Sequence, residues 1–129
     1  MSENKKTIVL GASPNPERYS FKAIVALRSK GHDVIAVGKR TGIVSDTEIE
    51  DGSLLHDNVH TITIYLNATN QLDWYDFIFT NKPKRIIMNP GAENPELEVM
   101  ASKQGIEVLE ACTLVLLATG SYWKELLGI

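Results

Sequence analysis

Ile8-Val9-Leu10-Gly11-Ala12-Ser13 runs an apolar strand straight into a turn of small residues, and a helical pattern follows at once. A strand that feeds a helix N-terminus in this way is a common anion site of α/β proteins. The first N–H groups of the helix have no intrahelical partner, and the helix dipole favours negative charge there. Gly11, Ala12 and Ser13 carry little side chain, so a phosphate can approach their backbone closely. The loop continues Pro14-Asn15-Pro16-Glu17-Arg18-Tyr19-Ser20. It is neither G-x-G-x-x-G nor G-x-x-x-x-G-K-[ST]. A nucleotide-type ligand is suggested, while the usual nicotinamide and ATP fingerprints do not fit.

Outward from that turn, the chain alternates strand and helix. Thr7–Leu10 reads as the first strand, and Ser20 to Lys30 as a helix with Ala23, Ile24 and Leu27 at helical spacing and Gly31 as its stop. Asp33–Gly38 is nearly all apolar, as expected of a parallel strand covered on both faces. Residues 39–58 are polar, with Gly42 and Gly52, and read as an irregular excursion or short hairpin. Further strands are predicted at Thr61–Leu66, Ile86–Asn89 and Glu107–Glu110. Helices are predicted over Asn70–Asn81 and from Asn94-Pro95-Glu96 to Gly105, the second opening on a cap, a proline and an acid. A last segment follows Cys112. This order predicts an α/β fold, a doubly wound, mostly parallel five-stranded sheet with helices on both faces, in one domain over residues 1–129.

The 129 residues suffice for a real core, and 43% hydrophobic with 22% charged residues is ordinary for a globular chain. Leu114–Ala118, as long as any apolar run in the chain, is far too short to span a bilayer, and the N-terminus lacks an apolar signal core. With Cys112 as the single cysteine, no intrachain disulfide can form, and a cytoplasmic location without membrane association is expected. Net charge is −3, but it is unevenly spread: residues 1–40 hold eight Lys/Arg against three acids, the remainder five against thirteen. Scattered solvated charge is the plain reading of that asymmetry. Several of the cations flank the Gly11–Ser13 turn, however, which favours a small anionic ligand. A pI near 5.6 argues against extended nucleic acid.

In such sheets ligands bind beyond the carboxyl ends of the strands, near the switch in strand order. Gly38-Lys39-Arg40 then carries the sharpest signal. An NAD site usually has an acid at this place for the ribose hydroxyls. A Lys-Arg pair suits a phosphate on the adenosine ribose instead, the 3′-phosphate of coenzyme A or the 2′-phosphate of NADP; a solvated basic loop is the bland alternative. Asn89-Pro90-Gly91 follows a strand and precedes a helix, and on turn chemistry alone it is equally a plain turn. Tyr65 either stacks on a base or packs at a strand end, packing being favoured. His32, His56 and His60 lack metal-ligand spacing, and no metal site is expected. Cys112 reads more readily as a small buried hydrophobe than as a nucleophile, and Glu93 and Glu96 as ordinary first-turn acids.

Four stretches together resemble a known family: V-L-G-A-S-P-N-P-E-R-Y-S (Val9–Ser20), G-H-D-V-I-A-V-G-K-R (Gly31–Arg40), N-P-G-A-E-N (Asn89–Asn94) and E-A-C-T (Glu110–Thr113). They are similar to the small stand-alone CoA-binding proteins, and through them to the Rossmann-like N-terminal CoA-binding domain of the succinyl-CoA synthetase α subunit. The resemblance covers nearly the whole chain. It implies that Gly11, Ala12, Ser13 and Lys22 meet the CoA phosphates, and that Val37, Gly38, Lys39 and Arg40 frame the adenosine and its 3′-phosphate. Tyr65 and Leu66 would line the same cleft, Asn89, Pro90 and Gly91 would lie nearer the pantetheine arm, and Cys112 would stand at the cleft mouth. The synthetase uses a further domain with a phosphorylated histidine, which does not fit in 129 residues, so its ligase activity is not carried over. The expectation is a non-catalytic binder of coenzyme A or an acyl-CoA, with homo-oligomerisation left open and no protein partner specified. An NADP-dependent oxidoreductase or redox sensor is the rival reading, and an interaction module with a vestigial site is a third.

Overall fold

The computed structural model describes residues 4–123. Strands β1 (Thr7–Leu10), β2 (Val34–Val37), β5 (Thr61–Ile64), β6 (Arg85–Met88) and β7 (Glu107–Glu110) are the five expected from sequence. Two more strands lie in the polar stretch read as an irregular excursion or short hairpin, β3 (Ile43–Val44) and β4 (Thr47–Glu50), and they do form a hairpin. The sheet therefore has seven strands among the described residues, not five, in the order β3-β4-β2-β1-β5-β6-β7. The reason is visible in the burial of β4. Thr47 and Ile49 are buried while Glu48 is exposed, an alternation that fits a sheet margin with one covered face. β4 runs parallel to β2, pairing Ala36 with Ile49 and Val37 with Glu50, and β3 folds back antiparallel to it. The hairpin is tied to helix α1 (Tyr19–Ser29) by a two-pronged ion pair, Arg28 Nε to Asp46 Oδ1 at 2.9 Å and Nη2 to Oδ2 at 2.7 Å. This guanidinium holds the Asp46 carboxyl down at about 2.

Without β3, the six parallel strands taken in chain order stand 3-2-1-4-5-6, the Rossmann arrangement. The order reverses between β1 and β5. The fully buried strands β1, β5 and β6 form the middle of the sheet, and inward side chains divide between two cores. On one face Val9, Ala36 and Ile87 meet Ile24 and Leu27 of α1 and Leu117 of α5 (Thr113–Ala118). On the other, Ile8, Leu10, Ile62, Ile64, Ile86 and Met88 meet Ile78 of α3 (Tyr75–Thr80) and Leu97 and Ala101 of α4 (Pro95–Lys103).

One helix was expected over residues 70–81. The chain instead forms a short α2 (Ala68–Gln71), capped by Asn67 Oδ1 accepting from the Asn70 N–H at 2.9 Å. A 3₁₀ turn (Leu72–Trp74) then leads into α3. That break turns Trp74 toward the carboxyl end of the sheet. No helix among the described residues is long and apolar enough to cross a membrane.

Candidate functional site: a cleft at the strand-order switch

A cleft of about 700 Å³ opens beyond the carboxyl ends of β1, β2, β5 and β6, a size suited to a small ligand. Its floor is the crossing of the two turns that leave β1 and β2. Gly11, at φ +92°, and Ala12 both donate their N–H groups to the Val37 carbonyl, at 2.9 Å each. These two amides are therefore spent within the fold, and the turn shapes the floor rather than offering donors. At Gly38 a Cβ would stand 2.3 Å from the Ala12 carbonyl oxygen, so a side chain there would push the turns apart. Val37 lies wholly in the core beneath that floor.

Anion-binding capacity sits above the floor. Tyr19 and Ser20, the first residues of α1, line the cleft. Their helix has Arg18 at the N-cap with no side-chain capping bond and no acid in its first turn. Among the described residues, the amides of that first turn have no protein partner. Helix α4 is the contrast: Asn94 Oδ1 caps the Leu97 N–H, and Glu96 and Glu98 occupy the first turn. Arg18, Lys39 and Arg40 line the same cleft and are exposed, and among the described residues their side chains make no ion pair or hydrogen bond. Lys22 stands one turn along α1, its Nζ 5.2 Å from the centre of the Tyr19 ring, outside the lining residues.

The opposite wall is fixed from below. Gln71 is buried, and its Nε2 donates to the carbonyls of Leu66 (2.7 Å) and Ala92 (2.8 Å), joining the β5 and β6 loops. Asn94 Nδ2 donates to Gln71 Oε1 at 2.8 Å and so holds the clamp in place. Leu66, Pro90, Gly91 and Ala92 line the cleft on this side. Gly91, at φ +95°, donates its N–H to Glu93 Oε1 at 3.0 Å. Asn89 does not reach the cleft. Its Nδ2 donates to Thr63 Oγ1 and the Ile64 carbonyl, and its Oδ1 accepts the Thr113 N–H, so the carboxamide seams β5 to α5. Tyr65 contributes to the lining, yet its ring packs into the α1–α5 core, where burial pushes the phenol well above its usual range.

The family model described as a CoA binding domain matches residues 5–118. The chain belongs to this family. A solved structure of a protein described as uncharacterized is 44% identical, covers 93% of this chain and 99% of its own, and superposes with a TM-score of 0.90. The structure of cell-free ID.343 from Thermus thermophilus is 24% identical, covers 92% of this chain and 91% of its own, and gives a TM-score of 0.79. A hypothetical protein from Pyrococcus horikoshii OT3 shares the fold at 20% identity and a TM-score of 0.79, over 88% of this chain and 81% of its own. No curated protein matches the sequence.

Of the residues singled out from sequence in this CoA-binding domain, Gly11, Ala12, Ser13, Gly38, Lys39, Arg40, Tyr65, Leu66, Pro90 and Gly91 converge on the cleft. Lys22, Val37, Asn89 and Cys112 are not among its lining. Cys112 is half-buried at the N-cap of α5, without a side-chain capping bond. Sequence reasoning missed Arg18, Tyr19, Asn70 and Trp74, all of which line the cleft. Arg18 and Tyr19 had a signal: a cation and an aromatic stand where a capping Ser, Thr, Asp or Asn would be favoured. Trp74 had none, because its position depends on a 3₁₀ break that periodicity did not reveal.

Proposed function

We propose that the cleft binds coenzyme A or an acyl-CoA, and that the domain holds this ligand without transforming it. The observation that carries the reading is a set of exposed cations, Arg18, Lys39 and Arg40, unpaired among the described residues, beside an uncapped helix N-terminus in a member of the CoA binding domain family. Free cations and partnerless amides of this kind are suited to phosphates. Lys39 and Arg40 take the 3′-phosphate at the end of β2. Arg18 and the first-turn amides of α1 take the pyrophosphate, at the position where dinucleotide folds hold theirs. The pantetheine arm then runs past Leu66 and the Pro90–Ala92 turn, whose shape Gln71 maintains. Gly11 and Gly38 serve by letting the two turns cross closely. No catalytic residue is assigned. A ligand ending in a thiol, and a chain with one cysteine, both suit the reducing cytoplasm.

The test is to identify what accompanies the protein when it is purified without denaturation from its own cells. Mass spectrometry of the released small molecules is expected to find CoA or one acyl-CoA in near-stoichiometric amount. NADP(H) in its place would overturn the reading, because a 2′-phosphate would satisfy the Lys39-Arg40 pair equally well.

A further inference from the structure

We infer that Trp74 is the wall against which the ligand's purine ring stacks; this rests on the CoA reading above. The indole lines the cleft rather than filling a core site. It packs at the margin of the α3–α4 core, edge-on to Phe77 with ring centres 5.6 Å apart and planes at 84°. Its six-membered ring lies over Gly52, where a Cβ would stand 2.5 Å from Trp74 Cζ3 and 3.6 Å from Val37 Cγ1. Gly52 follows β4 and Val37 ends β2, so the indole overhangs the carboxyl ends of these two strands. Gly38, Lys39 and Arg40 continue directly from that point. The flat aromatic surface and the 3′-phosphate cations thus occupy one end of the cleft.

Three features suit this end to the base. Gly52 gives the indole room that any side chain would take away. The T-shaped contact with Phe77 holds the indole, so its orientation is set before a ligand arrives. The Tyr19 ring, another aromatic of the lining, lies at the α1 end and is 67% exposed, with Lys22 already stacked on it. A purine on Trp74 leaves its ribose phosphate facing Lys39 and Arg40, whereas a purine on Tyr19 would bring it to the pyrophosphate end.

The test separates the base from the rest of the ligand. Calorimetric titrations compare CoA, adenosine 3′,5′-bisphosphate and 4′-phosphopantetheine on the wild type, Trp74→Leu and Trp74→Tyr. Base–aromatic stacking predicts that Trp74→Leu weakens CoA and the bisphosphate by about tenfold or more. It leaves phosphopantetheine unchanged, and Trp74→Tyr restores most of the loss. Equal losses for all three ligands, or none, overturn the inference. Fluorescence of the wild type gives a readout that needs no variant. The second tryptophan, Trp123, packs against His32 in the opposite core, so quenching by the bisphosphate reports on Trp74. Calorimetric binding of the bisphosphate with no change in emission contradicts stacking alone. A wild type that takes up no CoA contradicts the ligand reading itself.

Discussion

Lys39 and Arg40 follow a glycine that cannot be replaced without parting two turns, so their backbone is held while their side chains stay free. Each charge-assisted contact to a phosphate contributes about 1.5–3 kcal/mol when partly desolvated. Replacing both residues by Ala is therefore expected to weaken CoA strongly and dephospho-CoA only slightly, as read by calorimetry. Equal losses for the two ligands would mean that the pair acts elsewhere than on the 3′-phosphate. Asn89 illustrates the limit of reading residues singly. The family resemblance puts it near the pantetheine arm, but its side-chain polar atoms are engaged in the seam between β5, β6 and α5. Sequence shows that an amide is present; only the fold shows that it is buried and bonded within the protein.

Helix α1 is built against its own stability at one end. An Asp at the N-cap typically adds about 1 kcal/mol over a non-capping residue. Arg18→Asp is therefore expected to raise the melting temperature of the ligand-free domain while weakening CoA, and Arg18→Ala to weaken CoA without the thermal gain. An Arg18→Asp protein that gained stability and kept its affinity would remove the α1 N-terminus from the site. Elements of this kind were largely legible beforehand. Ile8–Leu10 and Val34–Val37 are apolar runs bounded by turn residues, and Asn94-Pro95-Glu96 marks the start of α4 unambiguously. What escaped was β4, whose Thr47-Glu48-Ile49-Glu50 alternates over too short a span to stand out between Gly42 and Gly52. The broken helix over 68–80 escaped for a different reason. Its apolar residues fit one periodic face, and the 3₁₀ turn that carries Trp74 against Gly52 and Phe77 leaves no mark in that periodicity.

At the scale of the whole molecule, the two ends of the sheet do different work. The carboxyl end carries the cleft, and the amino end buries a polar cluster around His32, which is fully buried. His32 Nδ1 accepts the Lys5 N–H at 2.8 Å, and its ring lies against Tyr122 and Trp123. Burial, together with the nearby charges of Arg85 and Lys5, pushes its pKa below the ordinary imidazole value. The folded state thus favours neutral His32, whereas the unfolded chain titrates near 6.5. This contribution to stability is complete above about pH 6.5 and is lost as the pH falls below it toward the depressed folded value. The melting temperature is expected to decline between about pH 7 and 5, and His32→Asn, whose Oδ1 can stand in for the Nδ1 acceptor of Lys5, to flatten that decline. An identical pH profile in the variant would show that His32 is not the titrating group.

The central claim concerns which nucleotide the cleft selects, and thermal unfolding of the wild-type domain tests it most directly. A ligand at 100 times its Kd stabilises the folded state by about 2.7 kcal/mol, a shift of several degrees for a domain of this size. CoA is expected to give that shift, dephospho-CoA a smaller one at the same concentration, and NADP(H), NAD(H) and ATP little or none. A shift with NADP(H) and none with CoA would contradict the account.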